Sequence, residues 1–433
     1  MVIFLKYYLV GIKGTGMSAL ALSLKQSGEL VIGSDKEETY FTEKRLNDAL
    51  IPIFNFNKNN IIKYNTYVYI ISYAYDENNN EEVKEIINRN YKYYYYSDFI
   101  NEYYKNIKIG ISGTHGKTTV TTMIKTLFKD EDISYIIGDG NGGGCKDSKY
   151  LIFEACEYKH HFINYDYDYL VINNIDYDHP DFFNNIDEVI NAFKIASNKA
   201  KCVIIYNDDN NARKIKHNCR YTYGINKKSF VTGTILNENN SGYKLKVVVK
   251  EKEYILSIPL CGIHNVYNFL ASFTVYYLTH SNKKNIENYI NDIMKEYVNP
   301  KRRVEEIHIK NNNILIDDYA HHPKEIECSY NSIKQKYPYH NITIVYQPHT
   351  YSRTFFLSNE FIEVFKNKDV YLMSTFASRE EQSKLKDKLV FDLFINIKLY
   401  NIETIKDIID NNDNQIIIFM GAGNINKEID KFV

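Results

Sequence analysis

Short apolar runs recur along the chain at residues 7–10, 30–32, 67–71, 150–153, 169–172, 314–316, 342–345, 370–372 and 416–419. A further strand-like segment carries Ile107, Ile109 and Ile111. Runs this short, bounded by polar or glycine-containing turns, predict strands buried on both faces, as in parallel sheets covered by helices. Helix-compatible stretches stand between several of them, beginning after Gly16 (Leu20, Ala21, Leu24), after Lys117 and after Gly262. The alternation predicts an α/β protein of three domains. The expected boundaries are 1–104, a Rossmann-like unit; 105–298, a P-loop unit with a mostly parallel sheet; and 299–433, a second Rossmann-like unit. The polar segment 101–106 is the expected first linker, and Asn299-Pro300 marks the second break.

Composition narrows the class. A chain of 433 residues is long enough for two or three cores. Lys plus Arg number 53 against 54 Asp plus Glu, so no basic field points to nucleic acid. The six cysteines include no Cys-x-x-Cys pair, which suits a reducing cytoplasm and argues against a zinc knuckle or a disulfide frame. The apolar N-terminus lacks a basic leader region and meets a glycine loop after ten residues, so it reads as a buried first strand. No apolar run has membrane-spanning length. The expectation is a cytoplasmic protein without a membrane or nucleic-acid partner, monomeric or weakly dimeric. Runs such as 93–96 and 311–313 read as compositional bias alone.

The most informative segment is Gly110-Ile-Ser-Gly113-Thr114-His115-Gly116-Lys117-Thr118-Thr119. It has the strand–loop–helix form that cradles a nucleoside triphosphate. Backbone N–H groups and the helix N-terminus face phosphate, the lysine neutralises β/γ charge, and the threonine hydroxyl can ligate Mg²⁺. Ile111 stands where the general P-loop pattern has its first glycine, so this is a tighter variant. ATP is the expected ligand. A second loop, Gly11-Ile-Lys13-Gly14-Thr15-Gly16-Met17-Ser18-Ala19, fits the dinucleotide fingerprint, and Asp35 follows the next strand where a ribose-binding acid would sit. Taken alone, it is a nucleotide-diphosphate site or a structural turn on equal terms.

In open parallel sheets, ligands bind beyond the carboxyl ends of strands. There this chain places Ser72, Glu154-Ala-Cys156-Glu157, Asn173-Asn-Ile-Asp176-Tyr-Asp178-His179-Pro180 and Asp317-Asp318-Tyr319-Ala-His321-His322-Pro323. Two more such ends are Gln347-Pro-His349-Thr350-Tyr-Ser352-Arg353-Thr354 and Gly421-Ala-Gly423-Asn424. Histidines and arginine on successive ends make a crevice suited to an acidic ligand. Asn265 and Asn268, in the helix after Gly262, serve either a polar ligand or a cap.

In their order, these motifs resemble the Mur ligases of peptidoglycan synthesis, and the resemblance covers nearly the whole chain. It implies ATP-dependent ligation of L-alanine to the lactyl carboxylate of UDP-N-acetylmuramate through an acyl phosphate. The alternatives within the family are a recycling ligase that adds an intact tripeptide to the same UDP-sugar and the D-glutamate-adding ligase. An NAD-dependent protein built on Gly14-x-Gly16 would leave the Gly-Lys-Thr loop unexplained.

The resemblance also implies site roles. Gly11, Lys13, Gly14, Thr15, Gly16, Met17, Ser18, Asp35, Ser72 and His115 would hold the UDP-sugar. Gly113 to Thr119 would hold ATP, with Arg302 or Arg303 on its phosphates, His264 and Asn268 on adenine and Asp318 on ribose. Thr118 and Glu154 would hold a first Mg²⁺ and His179 a second, while His322, His349 and Arg353 would serve alanine and the tetrahedral intermediate. Cys156, Pro180 and Thr350 depart from common family residues.

Overall fold

A computed structural model of the chain describes residues 5–145, 147–378 and 380–433. Every apolar run named above forms a strand, and the architecture is three-domain α/β. The first sheet comprises β1 (Lys6–Val10), β2 (Leu30–Asp35), β3 (Ile53–Asn55), β4 (Val68–Ile71) and β5 (Tyr93–Tyr95), in the order β3-β2-β1-β4-β5. All its pairings are parallel. Strand β1 is central, so the loop that follows it lies where the strand order reverses, the usual ligand crevice of such sheets.

Next along the chain come β6 (Ile107–Ser112), β7 (Ile133–Ile136), β8 (Gly142–Gly143), β9 (Tyr150–Glu154), β10 (Tyr167–Ile172), β11 (Ala200–Tyr206) and β12 (Arg220–Gly224). They are ordered β12-β11-β10-β6-β9-β7-β8, with only β7 and β8 antiparallel among the pairings in this set. Strand β6 is flanked by β9 and β10, so Glu154 pairs opposite Ile111 and Ile172 opposite Ser112. Three chemically loaded strand ends therefore open on one edge.

The expected alternation of strand and helix fails beyond this point. Strands β13 (Val231–Asn239), β14 (Gly242–Val249) and β15 (Lys252–Ile258) follow with only turns between them, and β14 and β15 are antiparallel. The third sheet comprises β16 (Glu305–His308), β17 (Ile314–Asp318), β18 (Asn341–Tyr346), β19 (Asp369–Leu372), β20 (Lys398–Leu399) and β21 (Gln415–Met420). Its order is β16-β17-β21-β18-β19-β20, parallel except at β16. Ile316, Ile344, Ile416 and Ile418 pack on one face of it, and Leu315, Val345, Ile417 and Phe419 on the other. Strands buried on both faces read as unbroken apolar runs, which is why they were visible in the sequence.

By packing, the chain forms two compact units. The first holds residues up to Asp176, Asp187–Thr232 and Asn268–Lys284; the second holds Tyr177–Ile186, Gly233–Tyr267 and Asn285–Val433. Within the first unit, the helix Thr15–Gln26 lies so close to β8 that a side chain at Gly142 would meet the Ala19 carbonyl oxygen at 1.8 Å. Ser23 and Tyr104 share a buried hydroxyl contact of 2.7 Å, and Arg45 donates to the Asp139 carbonyl at 2.7 Å. The expected linker 101–106 is shorter than the sequence implied. Helix Tyr96–Tyr103 covers half of it, and Tyr104 is buried.

Cys202 and Cys219 form a disulfide, which the sequence had argued against. In the β11–β12 register Val203 lies opposite Arg220, so the two preceding cysteines become neighbours. Nothing in their 17-residue separation announces that.

Candidate functional site

In the first unit, the Lys117 loop is held in shape from several sides. Gly113 and Gly116 have φ of 136° and 82°, a region that side chains resist. A Cβ at Gly113 would meet the Asn173 side chain at 2.9 Å, and one at Gly116 would meet Asn268 Oδ1 at 2.7 Å. Asn174 fastens the loop twice: its Oδ1 accepts the His115 N–H at 2.8 Å, and its Nδ2 donates to the His115 carbonyl at 3.1 Å. Thr114 is linked to Asp176 by two bonds of 3.2 and 2.9 Å. Asn268 thus lies against the phosphate-type loop, whereas Asn265 bonds back to the Cys261 carbonyl at 2.7 Å. The two asparagines, indistinguishable in sequence, have different surroundings.

Lys117 heads the helix Lys117–Leu127. Its Nζ donates to the carbonyls of Gly113 (2.6 Å) and Thr114 (3.1 Å) and pairs with Glu157 Oε2 at 3.0 Å. Burial is the largest influence and works against the lysine's charge, but Glu157, Cys156 and Glu154 together outweigh it and raise the pKa well above the ordinary range. Glu157 is buried and was not among the expected site residues. The signal was present, since it closes the quoted Glu154-Ala-Cys-Glu157 quartet. Glu154 accepts the Gly138 N–H at 2.6 Å, Thr118 is buried, and Thr119 is half-buried beside it.

The first glycine loop is also braced from beneath. Asp35 accepts the N–H groups of Lys13 (2.7 Å) and Lys36 (2.8 Å), so part of its carboxylate holds the loop. Lys13 is buried, reaches the carbonyls of Lys36 and Glu38 at 3.0 Å each, and pairs with Glu43. Gly14 and Thr15 are exposed, Gly16 is half-exposed, and Met17 and Ser18 are buried. A Cβ at Gly16 would come within 3.2 Å of the Tyr96 hydroxyl. Tyr96, dismissed in the sequence as part of a biased run, therefore lines this loop. Ser72 donates its backbone N–H to Val10, and its Cβ lies against Gly11.

The second unit gathers the remaining candidates into two groups. In one, Arg302 is buried and bonded through all three guanidinium nitrogens. Its Nε contacts both Asp317 oxygens at 3.2 Å, and its Nη groups donate to the carbonyls of Gly423 (3.0 Å) and Gly421 (2.7 Å). Arg303 is half-buried over the Tyr319 ring and is the charged group that bears on both His264 and Asp318. The pair left open in the sequence is thereby separated, with Arg302 bracing the fold and Arg303 beside the nucleoside candidates. Burial, reinforced by the Arg303 cation, lowers the His264 pKa from 6.5 to about 4. Burial raises that of Asp318 against Arg303, and Asp318 Oδ1 accepts the Ala320 N–H at 2.8 Å.

The other group is built on Arg353, which is 1% exposed. Its Nε donates to Asp178 Oδ1 at 2.9 Å, and its Nη1 donates to His349 Nδ1 at 3.0 Å and to the His349 carbonyl at 3.2 Å. Asp178 Oδ1 also accepts the His179 N–H at 2.7 Å, and His179 has a φ of 58°. Burial would raise the Asp178 pKa. The Arg353 cation, assisted by His179, His322 and His321, instead holds it well below the usual carboxylate range. His322 caps the helix Pro323–Lys336, accepting the Lys324 N–H. Asp178, like Glu157, stands in a quoted motif without an expected role, and its bond to Arg353 ties the loop Tyr177–Ile186 to the rest of the second unit. Tyr177 adds a ring contact to Phe356 at 4.8 Å.

A glycine-cradled lysine at a strand–helix turn, beside carboxylates on neighbouring strand ends, defines a protein of the phosphate-binding α/β class. Comparison with known proteins specifies it further. The chain matches models of the Mur ligase family catalytic domain over residues 6–107, of the Mur ligase middle domain over 111–276, and of the Mur ligase glutamate ligase domain over 302–423. It is 37% identical over 431 residues to the UDP-N-acetylmuramate–L-alanine ligase of Streptococcus thermophilus, covering 97% of this chain and 94% of that protein. The crystal structure of a UDP-N-acetylmuramate–alanine ligase from Thermotoga maritima matches with a TM-score of 0.80 at 24% identity, over 99% and 98% of the two chains. That of a murein peptide ligase from Psychrobacter arcticus matches with a TM-score of 0.70 at 18% identity, again over 99% and 98%. The chain belongs to the Mur ligase family.

Proposed function

We propose that the chain joins L-alanine to the lactyl carboxylate of UDP-N-acetylmuramate at the expense of ATP, a step in peptidoglycan precursor synthesis in the cytoplasm. The observation that carries this is near-full-length identity of 37% to a ligase of that activity, in a chain that keeps the Lys117 loop and its carboxylates in place. In this reading, residues 1–104 bind the UDP-sugar, 105–298 bind ATP, and 299–433 serve the amino acid.

The chemistry has two displacements. The lactyl carboxylate attacks the γ-phosphorus of ATP, a carboxylate–phosphorus bond forms, and ADP leaves. The alanine amine then attacks the acyl carbon, the C–N bond forms, the C–O bond to phosphate breaks, and inorganic phosphate departs with loss of the ammonium proton. Phosphoryl transfer asks the protein chiefly for positioning and charge neutralisation. Lys117 supplies a cation to the β/γ-phosphates, the amides of residues 113–119 cradle them, and Arg303 adds a second cation. His264 and Asn268 take adenine and Asp318 takes ribose. The Gly11–Ser18 loop, braced by Lys13 and Asp35, takes the UDP-sugar together with Ser72 and His115.

The donor set suits a hard divalent cation. The Thr118 hydroxyl and the Glu154 carboxylate are oxygen ligands on adjoining elements. They would hold a first Mg²⁺ and His179 a second, and the chemistry such an ion supplies is neutralisation of phosphate charge. His322, His349 and Arg353 attend the amino acid and the tetrahedral intermediate. The test is phosphate release dependent on both UDP-N-acetylmuramate and L-alanine, with the purified full chain.

A further inference from the structure

Arginine carries donors only, so the 3.0 Å contact between Arg353 Nη1 and His349 Nδ1 has one possible polarity. Nδ1 must present a lone pair, and the proton of the neutral ring must sit on Nε2. Nothing around Arg353 leaves it free to turn. Its Nε is spent on Asp178 at 2.9 Å, and the second Nη1 hydrogen on the His349 carbonyl at 3.2 Å. The ring is held as well. It stacks on Phe376 at 5.9 Å with planes 17° apart and meets the His321 ring edge-on at 5.4 Å.

The backbone repeats the constraint. Thr350, buried and β-branched, has a φ of 65°, a disfavoured conformation that persists only where its surroundings impose it. Here the Thr350 N–H donates to the Phe376 carbonyl at 3.0 Å, and the Thr354 hydroxyl donates to the Thr350 carbonyl at 2.8 Å. Rotating the imidazole by half a turn would set a carbon against the arginine donor and forfeit the bond. A proton on Nδ1 would face the arginine N–H head-on.

We propose that Asp178 and Arg353 are positioning residues that lock His349 as its Nε2–H tautomer, so that His349 acts as a hydrogen-bond donor to anionic oxygen. An imidazole in this tautomer has no lone pair at Nε2 and cannot take the ammonium proton of alanine there; the same logic makes the wrong tautomer inactive in other histidine-dependent enzymes. Its donor suits the amino-acid carboxylate or the oxyanion of the tetrahedral intermediate. The use of that donor rests on the ligase reading, whereas the tautomer itself does not.

Nitrogen-15 NMR of the histidine-labelled full chain tests the lock without turnover. Wild type is expected to show His349 with Nδ1 unprotonated and Nε2 protonated, and Arg353→Met to show a mixture of tautomers. Because Arg353→Met leaves Asp178 buried without its arginine, the double variant Asp178→Asn/Arg353→Met repeats the measurement with the charge pair removed together. A protonated Nδ1 in wild type, or an unchanged tautomer in both variants, overturns the proposal. In turnover, His349→Gln keeps a terminal N–H donor and should stay within about tenfold of wild type, with His349→Ala falling roughly a hundredfold. The apparent KM for ATP should stay unchanged in both. Equal losses in the two His349 variants refute the donor role. Absence of any L-alanine ligation by wild type refutes the function instead and leaves the NMR result standing.

Discussion

The Lys117 ammonium lies 3.0 Å from Glu157 Oε2, and the carboxylate it meets is 2% exposed. The lysine assigned to ATP phosphate is thus already held by a buried acid and by two carbonyls of its own loop. Lys117→Ala should abolish ligation, since losing one phosphate-neutralising group costs on the order of 3 kcal/mol, about two decades in rate. The same change strands Glu157, and breaking one side of a buried pair costs about 3–5 kcal/mol of stability. Lys117→Ala/Glu157→Gln removes that charge and should fold while remaining inactive. Phosphate release within threefold of wild type from either folded variant would rule the assignment out.

Glu154 and His179 should share a metal phenotype. Alanine at either position is expected to raise the Mg²⁺ concentration needed for half-maximal turnover, with the substrate dependence at saturating metal less affected. Identical Mg²⁺ titrations for both variants and wild type would mean that these strand-end loops only cap the fold.

His264 and His321 set an acid limit on stability. Burial is the largest cause in each case and lowers both pKa values from 6.5 to about 4; Arg303 adds to it at His264, and at His321 the effect of Glu325 opposes it. A depressed folded-state pKa means that the unfolded chain binds more protons between these values. Stability is therefore fully present above pH 6.5 and is lost as pH falls toward about 4. Thermal melts across that window should show a fall in Tm that is smaller in His264→Gln and His321→Gln. Equal slopes in wild type and variants would contradict the assignment.

The strands were legible because parallel sheets bury both faces and leave unbroken apolar runs; Ile416 to Met420 needed no further information. The glycine loops were legible because positive φ at Gly11, Gly113 and Gly116 demands that residue type at those positions. What the sequence did not disclose depends on contacts between distant segments. Asp178 and Arg353 are 175 residues apart, and only folding makes them a pair. Arg302 and Arg303 are neighbours in sequence, yet one is paired with Asp317 and the other bears on His264 and Asp318. The Cys202–Cys219 bond likewise follows from strand register, not from spacing.

Arg353→Lys keeps the charge but loses the planar fork that joins Asp178 to His349. The apparent KM for L-alanine is expected to rise while that for ATP changes little. A rise confined to ATP would move Arg353 to the nucleotide and away from the amino acid.

The most direct measurement is phosphate release with UDP-N-acetylmuramate, ATP and Mg²⁺ against a panel of amine substrates. L-Alanine should give robust release. Glycine and L-serine should be weak substrates, because a pocket discriminates a methyl-sized change by only about 1–3 kcal/mol. D-Glutamate and L-alanyl-γ-D-glutamyl-diaminopimelate should be inert. Efficient use of that tripeptide with L-alanine inert would contradict the account and assign the chain to the recycling reaction.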